Sequence, residues 1–458
     1  MFFPAGLRSL SRFQYNINRV YYIVGSFLHV FYRYLYDAKI ETRFIYFRKM
    51  LSATASLYKN AFRGLSKNTW YLSIVMLVNR SGTMVIPFMT MYCTQQLHFS
   101  LPQAGTVMAL FGAGAIAGAF IGGRITDRFG FYSQQLASLL LGGIMFLITG
   151  FLKTYLSLCI GTFILSLCNE SFRPANAAAI AWYSAPENRT RSYSLNRLAI
   201  NLGWAFGGAL GGVLASINYH LLFWVDGSTN IIAALLLFKL LPYAHSKTSV
   251  VKDKPVIKQR AYTDKFYIAF IAITFFFASC FFQWFTVQPV FLKTKWHYNE
   301  VFIGILMALN GVVIVLIEMI LVYSLEGRKL NTFFIRIGFF IAGISFACLN
   351  ILPPSHFTAI FSVMLVTIGE MLSMPFMNSF WIQRSSLHNR GEYAALYAIA
   401  WSVAQIAAPL SGTRIAAAYS FTMLWWILSA VCVVASISIL LLEQKIKSSE
   451  KSVVITSV

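Results

Sequence analysis

Twelve runs of apolar residues occupy 69–92, 101–122, 134–152, 155–183, 193–217, 219–242, 265–292, 299–323, 332–352, 357–382, 392–417 and 420–442. Roughly 20 apolar residues cross a bilayer core as a helix, and shorter runs do not. A helix satisfies its own backbone N–H and C=O groups, which lipid cannot do. The expected fold class is therefore all-α integral membrane, with twelve transmembrane helices in two six-helix halves. Only 11% of the residues are charged, against about 25% in a soluble domain, so the lipid bilayer is the natural surrounding partner.

The net charge of +22 would suggest nucleic acid in a soluble chain. Here the positions of the cations argue otherwise. Arg124, Arg128, Arg189, Arg191, Lys247, Lys252, Lys254, Lys258, Arg260, Arg328, Lys329, Arg384, Arg390, Lys445, Lys447 and Lys451 all fall on one side of the predicted spans, and the other side carries Lys153, Lys293 and Lys295. Lys and Arg accumulate in cytoplasmic loops. Both termini and the 243–264 loop are expected in the cytoplasm, in a multi-pass protein of the cell inner (plasma) membrane that binds no nucleic acid. The six cysteines contain no C-x-x-C pair and read as small core hydrophobes.

The polar, basic 243–264 segment divides the spans six and six, giving a first half at 65–242, a linker, a second half at 265–443 and a tail at 444–458. The halves repeat each other. "HFSLPQAGTVMALFGAG" from His98 and "HYNEVFIGILMALNGVV" from His297 align at an offset of 199, pairing Gly105 with Gly304, Gly112 with Gly311 and Asp127 with Glu326. "NESFRPAN" and "GEMLSMPFMN" pair Glu170 with Glu370 and Pro174 with Pro375. Repeated halves are a common basis of alternating access in secondary transporters. Residues 1–64 are basic and aromatic with no clean span. They read either as an interfacial segment or as sequence ahead of a true start at Met50.

Residues 123–130 read "GRITDRFG" between the second and third spans. A short loop there would turn at Gly123 and Gly130. Asp127 would cap a helix or pair with an arginine, forming a latch that closes in one state and opens in another. This stretch, with Arg128, resembles the G-x-x-x-D-R-x-G loop of the major facilitator superfamily, and its place between spans 2 and 3 of twelve matches; "SLEGRKL", with Glu326, is a degraded second copy. The resemblance covers about 65–443 and implies the major facilitator fold, a transporter usually working as a monomer, and a central cavity lined by spans 1, 4, 7 and 10. "GWAFGGALGG" in span 5 (Gly203, Gly207, Gly208, Gly211, Gly212) is similar to the superfamily's glycine-rich antiporter motif, with Gly208 where proline is usual. Such glycines let helices approach closely, and packing alone is an equal reading. "NRSGTMVIPFMTMY" in span 1 resembles the bacterial drug/proton antiporter branch. The arginine usual in the first half of span 4 is absent.

Ionisable groups at bilayer depth are costly and are functional candidates by default. Arg80, Glu170, Arg173, Arg197, Asp226, Glu318 and Glu370 fall inside predicted spans. Glu170 and Arg173 share a helix face at i,i+3. A carboxylate whose arginine partner comes and goes is a proton switch. Glu170 and Glu370 are expected to carry proton coupling or substrate charge, with Arg80 as counter-charge; a static ion pair is the competing reading. Asp226 is either a further coupling residue or a headgroup-level side chain. Arg197 snorkels or braces Asp127, and Glu318 has no assignment. Gln283, Trp284, Gln288 and Asn378 are expected as cavity wall for an amphipathic substrate.

No P-loop, H-E-x-x-H or G-x-S-x-G occurs, so no enzyme, cofactor or metal is expected, and a proton gradient is the expected driving force. The reading is a proton-coupled efflux antiporter for small organic molecules, drug-like or peptide-like. A proton-coupled symporter importing a small solute is the first alternative, and a non-transporting membrane receptor or scaffold the second.

Overall fold

A computed structural model describes residues 64–185, 188–243, 260–325, 327–385 and 389–456. The N-terminal segment, most of the 243–264 linker and Glu326 lie outside the described residues. Twelve helices long and apolar enough to cross a membrane follow one another: span 1 Lys67–Gln96, span 2 Leu101–Phe129, span 3 Phe131–Thr149, span 4 Tyr155–Tyr183, span 5 Arg191–Ile217, span 6 His220–Leu240, span 7 Lys265–Thr294, span 8 Glu300–Glu318, span 9 Asn331–Ile351, span 10 His356–Arg384, span 11 Glu392–Ala418 and span 12 Phe421–Ser448. No strand occurs among the described residues. The chain is a multi-pass membrane protein of all-α class.

The starts of the spans are written in capping residues. Ser66, Ser100, Thr154, Asp264 and Ser355 each accept a backbone N–H three residues on, satisfying a donor that the first turn leaves orphaned. At Ser100 the Gln103 side chain bonds back to complete a capping box.

Two boundaries differ from the sequence expectation. Span 2 stays helical through Gly123 and ends at Phe129. Gly123 therefore does not turn the chain; it lies inside a helix with its α-carbon facing Pro174. Gly130 alone makes the turn, at φ 87°, ending span 2 and opening span 3 in a single residue. At the other end of the chain, the residues expected as a tail continue the last helix to Thr456.

The internal repeat leaves a mark on the backbone. His98 and His297, 199 apart in sequence, are the two non-glycine residues with positive φ among those described, both at 56°. Just beyond each, Phe99 N–H bonds Cys93 O and Tyr298 N–H bonds Leu292 O, at the same offset. The crossings between the first six and last six spans repeat as well. A Cβ added to Gly105 of span 2 would lie 2.6 Å from Pro409 O of span 11, and one added to Gly304 of span 8 would lie 2.6 Å from Gly208 O of span 5. Glycine is required at both places because backbone meets backbone there.

These crossings lie toward the side opposite the Gly130 turn, the end of span 6 and the start of span 7. Span 2 meets span 11 at Gly105 against Thr413 and at Gly112 against Gln405 and Ile406. Span 5 meets span 8 at Gly208 against Met307 and at Gly212 against Gly304. Tyr219 donates to Glu300, itself ion-paired with Lys293, closing that end. On the linker side, Arg124, Asp127 and Arg128 are exposed. The two arginines lie over Phe120 and Phe129, and Asp127 makes no ion pair among the described residues.

Candidate functional site

Spans 1 and 4 are each broken near the middle, and span 7 breaks at Val287, closer to its end. Span 1 is helical to Ser81, turns at Gly82–Met84 and resumes at Val85. Side-chain chemistry fixes this break. The carboxylate of Asp226 on span 6 accepts Met84 N–H at 3.1 Å and Val85 N–H at 2.8 Å, and Gly82 is needed because Thr229 occupies the place of a Cβ. Asp226 is fully buried. It lies at the packed junction of spans 1 and 6 and caps the restarted helix.

The break sets Arg80 at the end of the first segment of span 1. Span 4 breaks at Ser171, directly after Glu170. Glu170 therefore sits at a helix end beside Arg80 and Arg173. Arg173 Nε is ion-paired with Glu170 at 2.7 Å, and Arg80 lies at 3.9 Å from the same carboxylate. The side chains of Glu170 and Arg80 are buried, at 7% and 8% exposure, whereas that of Arg173 is 69% exposed. A guanidinium so exposed at mid-span needs water around it, because lipid would be prohibitive.

Glu370 occupies the matching depth on span 10 but differs in its company. Asn310 of span 8 donates to it at 3.2 Å and to Thr367 at 2.9 Å, and no ion pair reaches it among the described residues. The adjacent charged pair crosses the molecule. Arg197 of span 5 is ion-paired with Glu318 of span 8. Asp127 is not the partner of Arg197. Asn310 and the Arg197 to Glu318 pairing escaped the sequence reading; the only signal was a lone asparagine in the apolar run "GILMALNGVV".

The span 5 glycines serve two neighbours. Gly203, Gly207 and Gly211 face span 1 at Arg80, Thr83 and Met84 with Phe88, whereas Gly208 and Gly212 face span 8 at Met307 and Gly304. One helix thus packs tightly on its own half and on the opposite one.

The expected cavity wall is mostly closed. Gln283, Trp284 and Gln288 are buried; Gln283 donates to Ala408 O at 2.7 Å and fills the space beside Gly412. Asn378 is half-buried and accepts from Trp381 at 3.1 Å. Half-buried aromatic rings cluster on spans 5, 7, 10 and 11. Trp381, Tyr397 and Trp401 follow one another at 6.3 Å, Phe282 lies 5.9 Å from Trp401, and Phe285 meets Trp204 of span 5 at 5.8 Å.

At the linker side, Asp264 caps span 7, accepts two bonds from Arg384 and one from Tyr393 at 2.8 Å. Burial opposes its charge, but the Arg384 guanidinium, the Tyr267 N–H and the Tyr393 hydroxyl together hold its carboxyl below the usual value. Among the described residues, no His/Cys/Asp/Glu cluster could hold a metal ion.

Twelve spans in repeated halves, glycine-mediated crossings between those halves and charged groups at mid-depth define a secondary transporter. The family model of the Major Facilitator Superfamily matches residues 71–409, and the chain belongs to that superfamily, whose members here are transporters and not enzymes. It is 27% identical over 343 residues to the uncharacterized MFS-type transporter YqjV of Bacillus subtilis (strain 168), covering 71% of this chain and 80% of that protein. It is 24% identical over 378 residues to a Na(+), Li(+), K(+)/H(+) antiporter of Planococcus maritimus, covering 73% and 86%. It is 26% identical over 254 residues to Multidrug resistance protein 2 of Bacillus subtilis (strain 168), covering 54% and 63%. Among solved structures, a POT family transporter in complex with 5-aminolevulinic acid shares the fold with a TM-score of 0.70 at 15% identity, over 84% of this chain and 98% of that one.

Proposed function

We propose that this transporter is a proton-coupled exporter of small organic molecules, working as a monomer by alternating access between its two six-helix halves. The observation that carries the reading is the pair of mid-span carboxylates in unlike company: Glu170 beside Arg80 and Arg173, and Glu370 beside Asn310 with no ion pair among the described residues. A carboxylate whose arginine partner comes and goes can serve as a proton switch. A change in the arginine's distance therefore takes up or releases a proton. The antiporter and multidrug-resistance relatives support exchange and export. The charge bias of the loops supports a plasma-membrane protein with cytoplasmic termini. On that orientation the tight crossings between the halves lie toward the outer side, which fits a state that loads from the cytoplasm.

Import by proton symport uses the same groups, and Gly208 in place of the motif's proline favours that reading. The test is coupled flux in purified Glu170→Gln and Glu370→Gln variants reconstituted in vesicles. Both are expected to insert normally and to lose substrate-dependent proton movement. Wild-type flux in both variants contradicts the assignment.

A further inference from the structure

We propose that Arg80 and Arg173 form the receiving site for an anionic group, of carboxylate class, on the transported molecule. The inference rests on the mid-span region being the transport site. It names the chemistry that one end of that site selects.

Arg80 is 7% exposed, yet no hydrogen bond reaches its guanidinium among the described residues. Its Nε is buried without a partner, and its ion pair with Glu170, at 3.9 Å, is too long to be a hydrogen bond. A buried guanidinium carries five donors and is costly to leave unbonded. Glu170 does not supply the deficit: its Oε2 pairs with Arg173 at 2.7 Å, and its Oε1 stops 3.9 Å from Arg80. Arg173 pairs there through its Nε, makes no other ion pair among the described residues and is 69% exposed. Two guanidinium groups against one carboxylate leave the cluster with a net positive charge. One added anion would balance it, and the planar fork of an arginine matches a carboxylate with two bonds. The break in span 1 fixes Arg80 in place through Gly82 and Asp226, so the site is built before any ligand arrives. Gly203, packed on Arg80, is followed by Trp204, whose ring lies 5.8 Å from Phe285 of the opposite half. An aromatic or apolar body attached to the anion has a surface to lie on.

A purely structural Arg80 would serve Glu170 alone. The two roles differ in what removal of the glutamate does. If Glu170 competes with the ligand for the arginines, Glu170→Gln should tighten anion binding. If Arg80 exists only to neutralise Glu170, that variant should create no anion affinity.

The test is equilibrium binding to the purified full chain in detergent with no gradient, using 2-naphthoate, its neutral amide 2-naphthamide and the cation 2-naphthylmethylammonium. Naphthoate should bind about tenfold or more tighter than the other two, the size of one charge-assisted contact. Arg173→Gln, exposed and so tolerant of substitution, should weaken naphthoate by about tenfold, and Glu170→Gln should strengthen it. Amide or cation binding as tight as the carboxylate, no binding by any of the three, or unchanged affinity in Glu170→Gln overturns the proposal. Because no proton gradient is present, naphthoate binding stands even if coupling fails. Coupled export of other compounds with no naphthoate binding would keep the transport reading and discard this one.

Discussion

Arg197 of span 5 and Glu318 of span 8 are ion-paired across the seam between the first and last six spans. The seam is tightest beyond them, where Gly208 meets Met307 and Gly212 meets Gly304. At the pseudo-equivalent seam between spans 2 and 11 no ion pair occurs among the described residues. The pair thus adds a cross-half tie to one of two otherwise similar crossings.

Removing Arg197 leaves Glu318 buried and uncompensated, which should cost this conformation about 2 kcal/mol, between the values for exposed and buried pairs. Arg197→Gln should shift the population toward the state open on the opposite side. The reciprocal exchange, Arg197→Glu with Glu318→Arg, should restore it. Accessibility of single cysteines placed at each end of the seam reads the shift, and unchanged accessibility in Arg197→Gln would count against the tie.

The glycine crossings make a steric prediction. A Cβ at Gly304 would lie 2.6 Å from Gly208 O and 2.7 Å from Gly212 Cα, and neither backbone atom can move aside cheaply. Gly304→Leu should block closure of that end and abolish turnover. Gly123→Ala should leave it intact, because the nearest atom to its Cβ is Pro174 Cβ at 4.0 Å. Uptake or efflux measured for the two variants side by side checks this.

Asp226 and Glu370 should separate stability from coupling. Asp226→Asn weakens charge-assisted bonds to two amides at the span 1 break and should lower stability by about 2 kcal/mol. Glu370→Gln keeps an acceptor for Asn310 and should melt within about 0.5 kcal/mol of wild type while losing coupling. Thermal unfolding of the detergent-solubilised variants distinguishes them.

Asp264 supplies a pH dependence outside the membrane. Its folded-state carboxyl is held below the usual value, so the stabilisation it provides is present at neutral pH and fades as pH falls through that depressed value. Asp264→Asn should reduce thermal stability at pH 7, and the difference from wild type should narrow under strong acid. A difference that is constant with pH would show that the Arg384 and Tyr393 contacts do not depend on the charge.

The sequence was informative wherever one residue's environment depends on its near neighbours. Span number and approximate ends follow from local apolar content, and the offset of 199 predicted paired features that the twin positive-φ histidines display. It was poorer where partners are distant in the chain. The pairing of Arg197 with Glu318, 121 residues apart, leaves no local trace. The burial of Asp226 could not be separated from a headgroup location, because its role depends on a break in a helix far upstream. Gly123 misled because a glycine flanking charges looks like a turn, whereas here helix propagation continues to Phe129 and only Gly130 reverses the chain.

The most direct measurement places the purified protein in vesicles with an imposed pH gradient and follows a pH-sensitive dye as lipophilic cations, antibiotics, sugars and dipeptides are added in turn. The account predicts that at least one compound triggers proton movement opposite to its own, and that Glu370→Gln abolishes that signal. Protons moving in the same direction as the substrate would contradict export by exchange and establish the chain as a symporter.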